Sequence, residues 1–282
     1  MSARLGAHRY GKANVRLAVV RRQAASHHII QMVVSVMLEG DFRAAHVEAD
    51  NSQLLTTDAM RAATYALARE RGVTSAEQLG LDLTQHCLDS AAAATRATVT
   101  VDEQPWQRLT VDGRPHPHAF TPAAGGRRTA ACGRERGADP KVRGGVTGLR
   151  LLKTTGSAFS GFLKDRFTTL AETDDRILAT SVTAEWDYRG PRVDFDHHAT
   201  VVPEVLCRVF AEHHSESVQH TIYAMGEAAL EACPDIDRIR FSLPNEHHVP
   251  ADLAPFGLDN PGEVFVVAAA PHGVIEATVE RA

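Results

Sequence analysis

The stretch VRLAVVRRQAASHHIIQMVVSV, residues 15–36, alternates twice. Val15, Leu17 and Val19 face one way in its first part, and Ile30, Met32, Val34 and Val36 do so in its second. Side chains of a strand point to opposite faces in turn, so each part reads as a strand with one buried face. Outward from there, a helical spacing begins at Thr57-Asp58, both suited to capping, and runs through Met60, Tyr65, Leu67 and Ala68 to Gly72. Thr74-x-x-Glu77 has the spacing of a capping box and opens a second helix with Leu79, Leu83, Cys87 and Leu88 on one side. Ala97, Val99 and Val101 then alternate with Arg96, Thr98 and Thr100 as a strand, and residues 106–110 pair around Asp112-Gly113 with the stretch ending at Phe120. The order is β-β-α-α-β-β.

Residues 121–146 change character. Gly125-Gly126-Arg127-Arg128, Gly133, Gly137, Pro140 and Gly144-Gly145 make a small-residue, basic stretch that reads as a connecting segment or long hairpin loop. The second half repeats the order of the first. Strands are expected at residues 149–153 and 177–186, the latter with Thr180, Val182, Ala184 and Trp186 on one face. Val202, Val205, Leu206, Val209 and Phe210 form a helical stripe, residues 218–232 a second helix, and strands return at 239–243, 264–267 and from Val274. The repeated order predicts an α+β duplication with units at 10–135 and 147–282, each an antiparallel sheet with two helices on one face. Open sheet edges invite pairing, and closing several such sheets into a ring by oligomerisation removes them.

Composition narrows the function. Of 282 residues, 44% are hydrophobic and 23% charged, which suits a globular chain able to bury a core. Thirty Lys and Arg against 35 Asp and Glu give a net charge of −5, which disfavours nucleic acid or an anionic membrane as partner. The longest apolar run, around residues 264–270, falls far short of a membrane span. The polar first ten residues do not read as a secretory signal, and Cys87, Cys132, Cys207 and Cys233 form no C-x-x-C pair, so reduced thiols and a cytoplasmic location are expected.

Fifteen histidines are many, with doublets at 27–28, 197–198, 213–214 and 247–248 and an H-x-H at 116–118. Adjacent side chains diverge on helices and strands alike, so the doublets are poor chelates, and no metal site is expected. The Asp196-His197-His198 stretch reads as surface. Phosphate-cradling glycine loops and a G-x-S-x-G elbow are missing from the sequence, which disfavours nucleotide cofactors and the common serine hydrolases. Asp174-Asp175 and Asp194-x-Asp196 read as solvated loop acids. What remains is scattered: Lys12 at a strand entrance, Thr57-Asp58 at a helix start, Phe159 in a loop, Arg176 heading a strand, Val218-Gln219 heading a helix, and Asn245 to His248 after a strand. An Arg fork, a Gln that donates and accepts in one plane, and a stacking Phe suit a flat anionic heterocycle. Spacing alone does not assemble these residues into one site.

A resemblance does. Residues 10–16 (YGKANVR), Gly40-Asp41-Phe42, Asp50-Asn51-Ser52 through Thr57-Asp58, residues 152–159 with Asp165, Thr168 to Leu170, Glu172-Thr173 and Asp175 to Leu178, residues 214–223 (HSESVQHTIY), residues 243–247 and Phe256-Gly257-Leu258 resemble the urate oxidase (uricase) family in order. The resemblance implies the tunnelling fold (T-fold), two tandem β-β-α-α-β-β units closing into barrels in a homotetramer with active sites at subunit interfaces. It implies oxidation of urate by O₂ to 5-hydroxyisourate and hydrogen peroxide, in purine degradation, with neither metal nor organic cofactor. Carried over residue by residue, Arg176 and Gln219 clamp the urate, Phe159 stacks on it, and the N–H groups of Val218 and Asp58 bind in its plane. Thr57 and Asp58 come from the neighbouring subunit. Lys12, Thr57 and His247 relay protons, and Asn245 holds O₂ and then water. Two departures stand out: Ala49 where the family usually has Gly, and Arg61-Ala62-Ala63 in place of Lys-Asn-Thr. Competing readings are an oxidase of another purine-like heterocycle, a purine-binding tetramer without turnover, and a zinc-dependent pterin enzyme of the same fold, for which the spacing supplies no chelating His cluster.

Overall fold

The computed structural model describes residues 3–282, apart from the side chain of residue 269; the first two residues of the expected non-signal stretch lie outside it. The chain divides into two compact units, residues 1–145 with 187–199, and residues 146–186 with 200–282.

In the first unit, β1 (Tyr10–Arg22) and β2 (His27–Gly40) form the expected pair, antiparallel, with Val15 opposite Val34 and Leu17 opposite Met32. Helices α1 (Arg43–Val47), α2 (Thr57–Glu70) and α3 (Ala76–Ser90) follow, then β3 (Ala94–Gln104). The alternation in β3 is real: Ala97, Val99 and Val101 are buried against Val34, Val36, Met60, Leu79 and Leu83. The caps sit one residue from where the spacing put them. Thr56 Oγ1 accepts the Ala59 N–H at 3.1 Å, and Ser75 Oγ accepts the Gln78 N–H at 3.0 Å. Glu77, expected to close a capping box, is instead fully buried and ion-paired with Arg128 at 2.6 Å.

The hairpin at Asp112-Gly113 forms as expected, β4 (Trp106–Val111) on β5 (Arg114–Pro122), with both turn residues at positive φ as a type I′ turn requires. It is a separate two-stranded sheet, however, and does not supply the fourth strand of the unit. That strand is β6 (Arg127–Glu135), antiparallel to β3 and lying inside the segment read as a connection. The strands of this unit neighbour one another in the order β1-β2-β3-β6. Arg128 on β6 reaches Glu77 and Asp196, each at 2.6 Å; Asp196 and His197 are exposed as expected of the stretch, but His198 is buried, so that residue departs from the surface reading. A carboxylate without solvent on Glu77 requires that guanidinium, which anchors the stretch inward.

The second unit is built on β7 (Lys141–Lys153), β8 (Leu178–Tyr188), β9 (Ile236–Pro250) and β10 (Phe265–Glu280), in that order across the sheet. Thr180, Val182, Ala184 and Trp186 of β8 are all buried, as the alternation required. α4 (Phe195–Glu212) begins in the first unit and continues into the second, and α5 (Val218–Ala232) lies on β9 and β10. Contact with β10 is close because Gly226 has no side chain: a Cβ there would fall 2.5 Å from Val279 Cγ2. β9 continues seven residues past the expected end, and β10 joins the two expected strand pieces with a register shift between Ala268 and Gly273. No helix among the described residues is long and apolar enough to cross a membrane.

Candidate active site

Four of the sequence-derived residues meet in one cleft of the second unit. Phe159, Arg176, Asn245 and His247 line a volume of about 760 Å³, together with Thr154, Asp175 and Phe265. Asn245 and His247 belong to β9 itself and do not follow it, paired with Gly273 and Ala268 of β10 on either side of the register shift. Their alternate spacing on a strand points both side chains to one face.

Phe159 and Arg176 come from irregular chain held by a lattice of backbone bonds. The Phe159 N–H donates to Thr173 O at 2.8 Å, and the Thr173 N–H donates back to Phe159 O at 3.1 Å. The Arg176 N–H donates to Ser157 O at 2.7 Å, and the Ala158 N–H to Ser215 O at 2.7 Å. The guanidinium carbon of Arg176 then stands 5.0 Å from the centre of the Phe159 ring, a cation–π contact. Burial holds the Arg176 guanidinium below its ordinary range, and its Nε is buried with no hydrogen-bond partner. A buried donor without an acceptor is costly unless a ligand supplies one, so the cleft is prepared for a planar acceptor or anion stacked on Phe159.

Val218 and Gln219 are the first two residues of α5. They do not line the cleft, but Ser215 just before them bonds to Gly156 and Ala158 of the Phe159 loop, which ties the helix start to it. Val218 is buried and Gln219 exposed. The cap is Ser217, whose Oγ accepts the His220 N–H at 3.1 Å, and the first-turn N–H groups of Val218 and Gln219 have no intrahelical partner.

Lys12, Thr57 and Asp58 belong to the first unit. Lys12 is inside β1, opposite Val36, and not at its entrance. Register shifts between Lys12 and Val15, where Asn14 takes φ 58° and its N–H donates to Ser35 Oγ at 3.1 Å. A regular strand would turn Lys12 away from Val15; the bulge puts both on the core side, where β1 packs on α2. Thr57 is the first residue of α2, and the Asp58 carboxylate pairs with Arg61 at 2.7 Å. Arg61 thus gives the departure from the family pattern a local partner.

Sequence reasoning missed Asp175 and Thr173. Asp175, read as a solvated acid, is exposed, but its oxygens are occupied: Oδ2 accepts Thr155 Oγ1–H at 2.7 Å, and Oδ1 accepts the Gly156 N–H at 2.9 Å and the Ser157 N–H at 3.5 Å. The hydrogen bond from Thr155, with smaller help from the backbone, holds the carboxyl below its usual range. The available signal was the Thr154-Thr155-Gly156 turn, whose Gly156 has φ 73°.

Two tandem α+β units with antiparallel sheets, one carrying an arginine-over-phenylalanine cleft, define a tunnelling-fold protein. The uricase family model matches residues 8–132 and 142–276. The chain is 43% identical over 277 residues to the uricase of Arthrobacter globiformis, spanning 98% of this chain and 90% of that one. It is 35% identical over 277 residues to the uricase of Danio rerio, spanning 96% and 93%. The crystal structure of the Arthrobacter globiformis uricase superposes with a TM-score of 0.93, covering 100% of this chain and 96% of that chain at 43% identity. The chain belongs to the uricase family.

Proposed function

We propose that this chain oxidises urate with O₂ and water to 5-hydroxyisourate and hydrogen peroxide, a reaction that balances with no further redox partner. The observation that carries the reading is the buried, unpartnered Arg176 Nε above the Phe159 ring, in a chain of the uricase family. Urate is a flat anion with acceptors along its edge. Arg176 and Gln219 grip that edge, Phe159 stacks beneath the ring, and the N–H groups of Val218 and Asp58 complete the plane.

Urate is electron-rich and easily ionised, so removing a further proton raises its reducing power. A one-electron step to O₂ then avoids the spin barrier to direct reaction. The protein binds the anion, moves protons and excludes water. Lys12 holds Thr57 as an effective base, which a lone hydroxyl is not, and His247 passes protons to and from the oxygen species that Asn245 positions. Fixed charges act more strongly in such a desolvated site than in water.

In this proposal the working form is a homotetramer, and Thr57 and Asp58 of the partner subunit complete each cleft. Three features support it. The cleft, with His247 in it, is lined by the second unit alone, while Lys12 and Thr57 of the relay lie in the first. β1 and β10 stand at the two ends of the strand order, each with one side unpaired among the described residues. Phe167, Phe256, Leu258 and Val266 are more than half exposed. We also place the protein in the cytoplasm, which the four free cysteines suit. The test mixes purified protein with urate in aerated buffer and follows urate loss and peroxide together. Matched rates, largely abolished by Lys12→Met and by Thr57→Ala, support the reading. Binding without turnover overturns the reaction, and full activity in both variants overturns the relay.

A further inference from the structure

The cleft leaves one question open. Arg176 is half-buried and positively charged, its immediate neighbour is an aspartate, and yet no carboxylate among the described residues pairs with its guanidinium. The Asp175 carboxylate is turned the other way. It accepts from Thr155 Oγ1, Gly156 N and Ser157 N, the three residues that lead into Ala158 and Phe159. Its own carbonyl accepts the Thr173 hydroxyl at 2.7 Å, and Thr173 is the residue bridged both ways to Phe159. One residue therefore gathers the start of the Phe159 loop, the Thr173 bridge and the backbone leading into Arg176.

We propose that Asp175 is a positioning residue for the substrate clamp: its carboxylate fixes the distance between the Phe159 ring and the Arg176 guanidinium while leaving that guanidinium free for the ligand's acceptors. The proposal rests on the functional reading above and deepens it. Both oxygens point into the turn at residues 155–157, so Asp175 acts through the turn and does not touch the ring of the substrate. The Lys153 ammonium feels the Asp175 charge; that lysine donates to His213 O at 2.6 Å, beside the Ser215 bridge. An ionised Asp175 is the better acceptor for three donors, and the depressed carboxyl follows from that arrangement.

Position predicts a particular kinetic signature. A loosened clamp weakens recognition of the heterocycle and leaves the proton relay intact, so KM moves and the pH dependence of kcat does not. Asp175→Ala removes every bond to the turn. Asp175→Asn keeps an oxygen facing Gly156 and Ser157, and its amide N–H can donate to Thr155. Thr155→Val removes one bond only and guards against the alanine variant failing to fold.

The experiment measures urate KM, kcat and the pH profile of kcat for the wild type and these three variants, with equilibrium binding of xanthine as a non-turnover probe. Asp175→Ala is expected to raise KM for urate and Kd for xanthine about tenfold, with kcat within about threefold. Asp175→Asn should recover most of that loss, and Thr155→Val should fall between it and the alanine variant. Wild-type turnover of urate checks the functional reading separately: a wild type inert on urate sinks that reading, while the xanthine ratios still test the positioning. Unchanged KM and Kd in Asp175→Ala, or in Thr155→Val where the alanine variant does not fold, overturn the inference. So does a fall in kcat with a displaced pH profile and an unchanged KM, which would make Asp175 part of the proton transfer.

Discussion

Gly11 lies between Tyr10 and Lys12, and the structure leaves it no room for a methyl group. A Cβ at this position would stand 1.9 Å from Val36 O and 2.8 Å from both Met37 Cα and Met37 Sδ. The sulfur can move, but the carbonyl and the Cα belong to β2, so Gly11→Ala must part β1 from β2 by at least about 1 Å. The pairs to either side, Tyr10 with Leu38 and Lys12 with Val36, carry the ladder that would stretch. Two weakened ladder bonds at about 1 kcal/mol each, with overpacking of similar size, give a loss of about 2–4 kcal/mol. For a chain of this size that is a Tm drop of about 3–7 °C. Function should suffer more than stability suggests, because Lys12 moves with its strand. A displacement near 1 Å at a positioned catalytic group costs up to about 100-fold in rate. Gly40→Ala is the control: its Cβ would stand 2.1 Å from Ala93 O, squeezing the end of β2 against the start of β3, on the side of β2 away from β1 and Lys12. Thermal unfolding and urate turnover, the latter well below either Tm, are compared across the three proteins. Both glycine variants should lose Tm, and only Gly11→Ala should lose kcat at the lower temperature. Wild-type kcat in Gly11→Ala, or an equal loss in Gly40→Ala, refutes the link from strand spacing to Lys12.

Two further outcomes can be stated from single residues. Ala49 takes φ 57°, the left-handed region where a Cβ costs about 1–2 kcal/mol. Ala49→Gly removes that strain against an added unfolded-chain entropy of about 0.4–1 kcal/mol, so it should stabilise by about 0.5–1 kcal/mol; a lower midpoint in urea would contradict this. His213 is held below the ordinary imidazole range by burial first, then by His220, Lys153 and His214, with Glu216 opposing. Because its folded pKa lies below the unfolded one, its contribution is complete above pH 6.5 and is lost as pH falls from there toward the folded value. Tm should therefore fall less steeply between pH 7 and 5 in His213→Gln than in the wild type; parallel curves would exclude His213 as a source of the slope.

The parts of the fold legible in the sequence are those built from large apolar side chains. β2, β3 and β8 alternate Val, Met and Trp with polar residues, and each buries the expected set. β6 was hidden because its inward residues are small: Ala130 and Cys132 are buried there, flanked by arginines and glycines. The reason lies in another element. Helix α3 passes over this strand at Gly80, where a Cβ would meet Cys132 Sγ at 2.7 Å. A helix that close leaves space for nothing larger, so the strand carries no apolar periodicity to read. The bulge in β1 was invisible for the opposite reason. Alternation counts residues, and the extra residue at Asn14 reverses the count, turning Lys12 to the face that periodicity denied it.

The site followed the same division. Phe159, Arg176, Asn245 and His247 are far apart in sequence and share no spacing, so only resemblance assembled them, and the cleft then brought them together. Neither spacing nor resemblance revealed how the charge of Arg176 is kept available. An arginine next to an aspartate reads as a pair on the surface. In the fold, the aspartate is engaged by a hydroxyl and two backbone N–H groups, and the arginine is left half-buried over an aromatic ring with its buried Nε unmet. That arrangement raises the free energy of the empty cleft. An anion that fits recovers it on binding, with donors already in place and little left to reorganise. On the proposed function, the local instability of Arg176 is thus part of what would make the cleft select a flat anion over water.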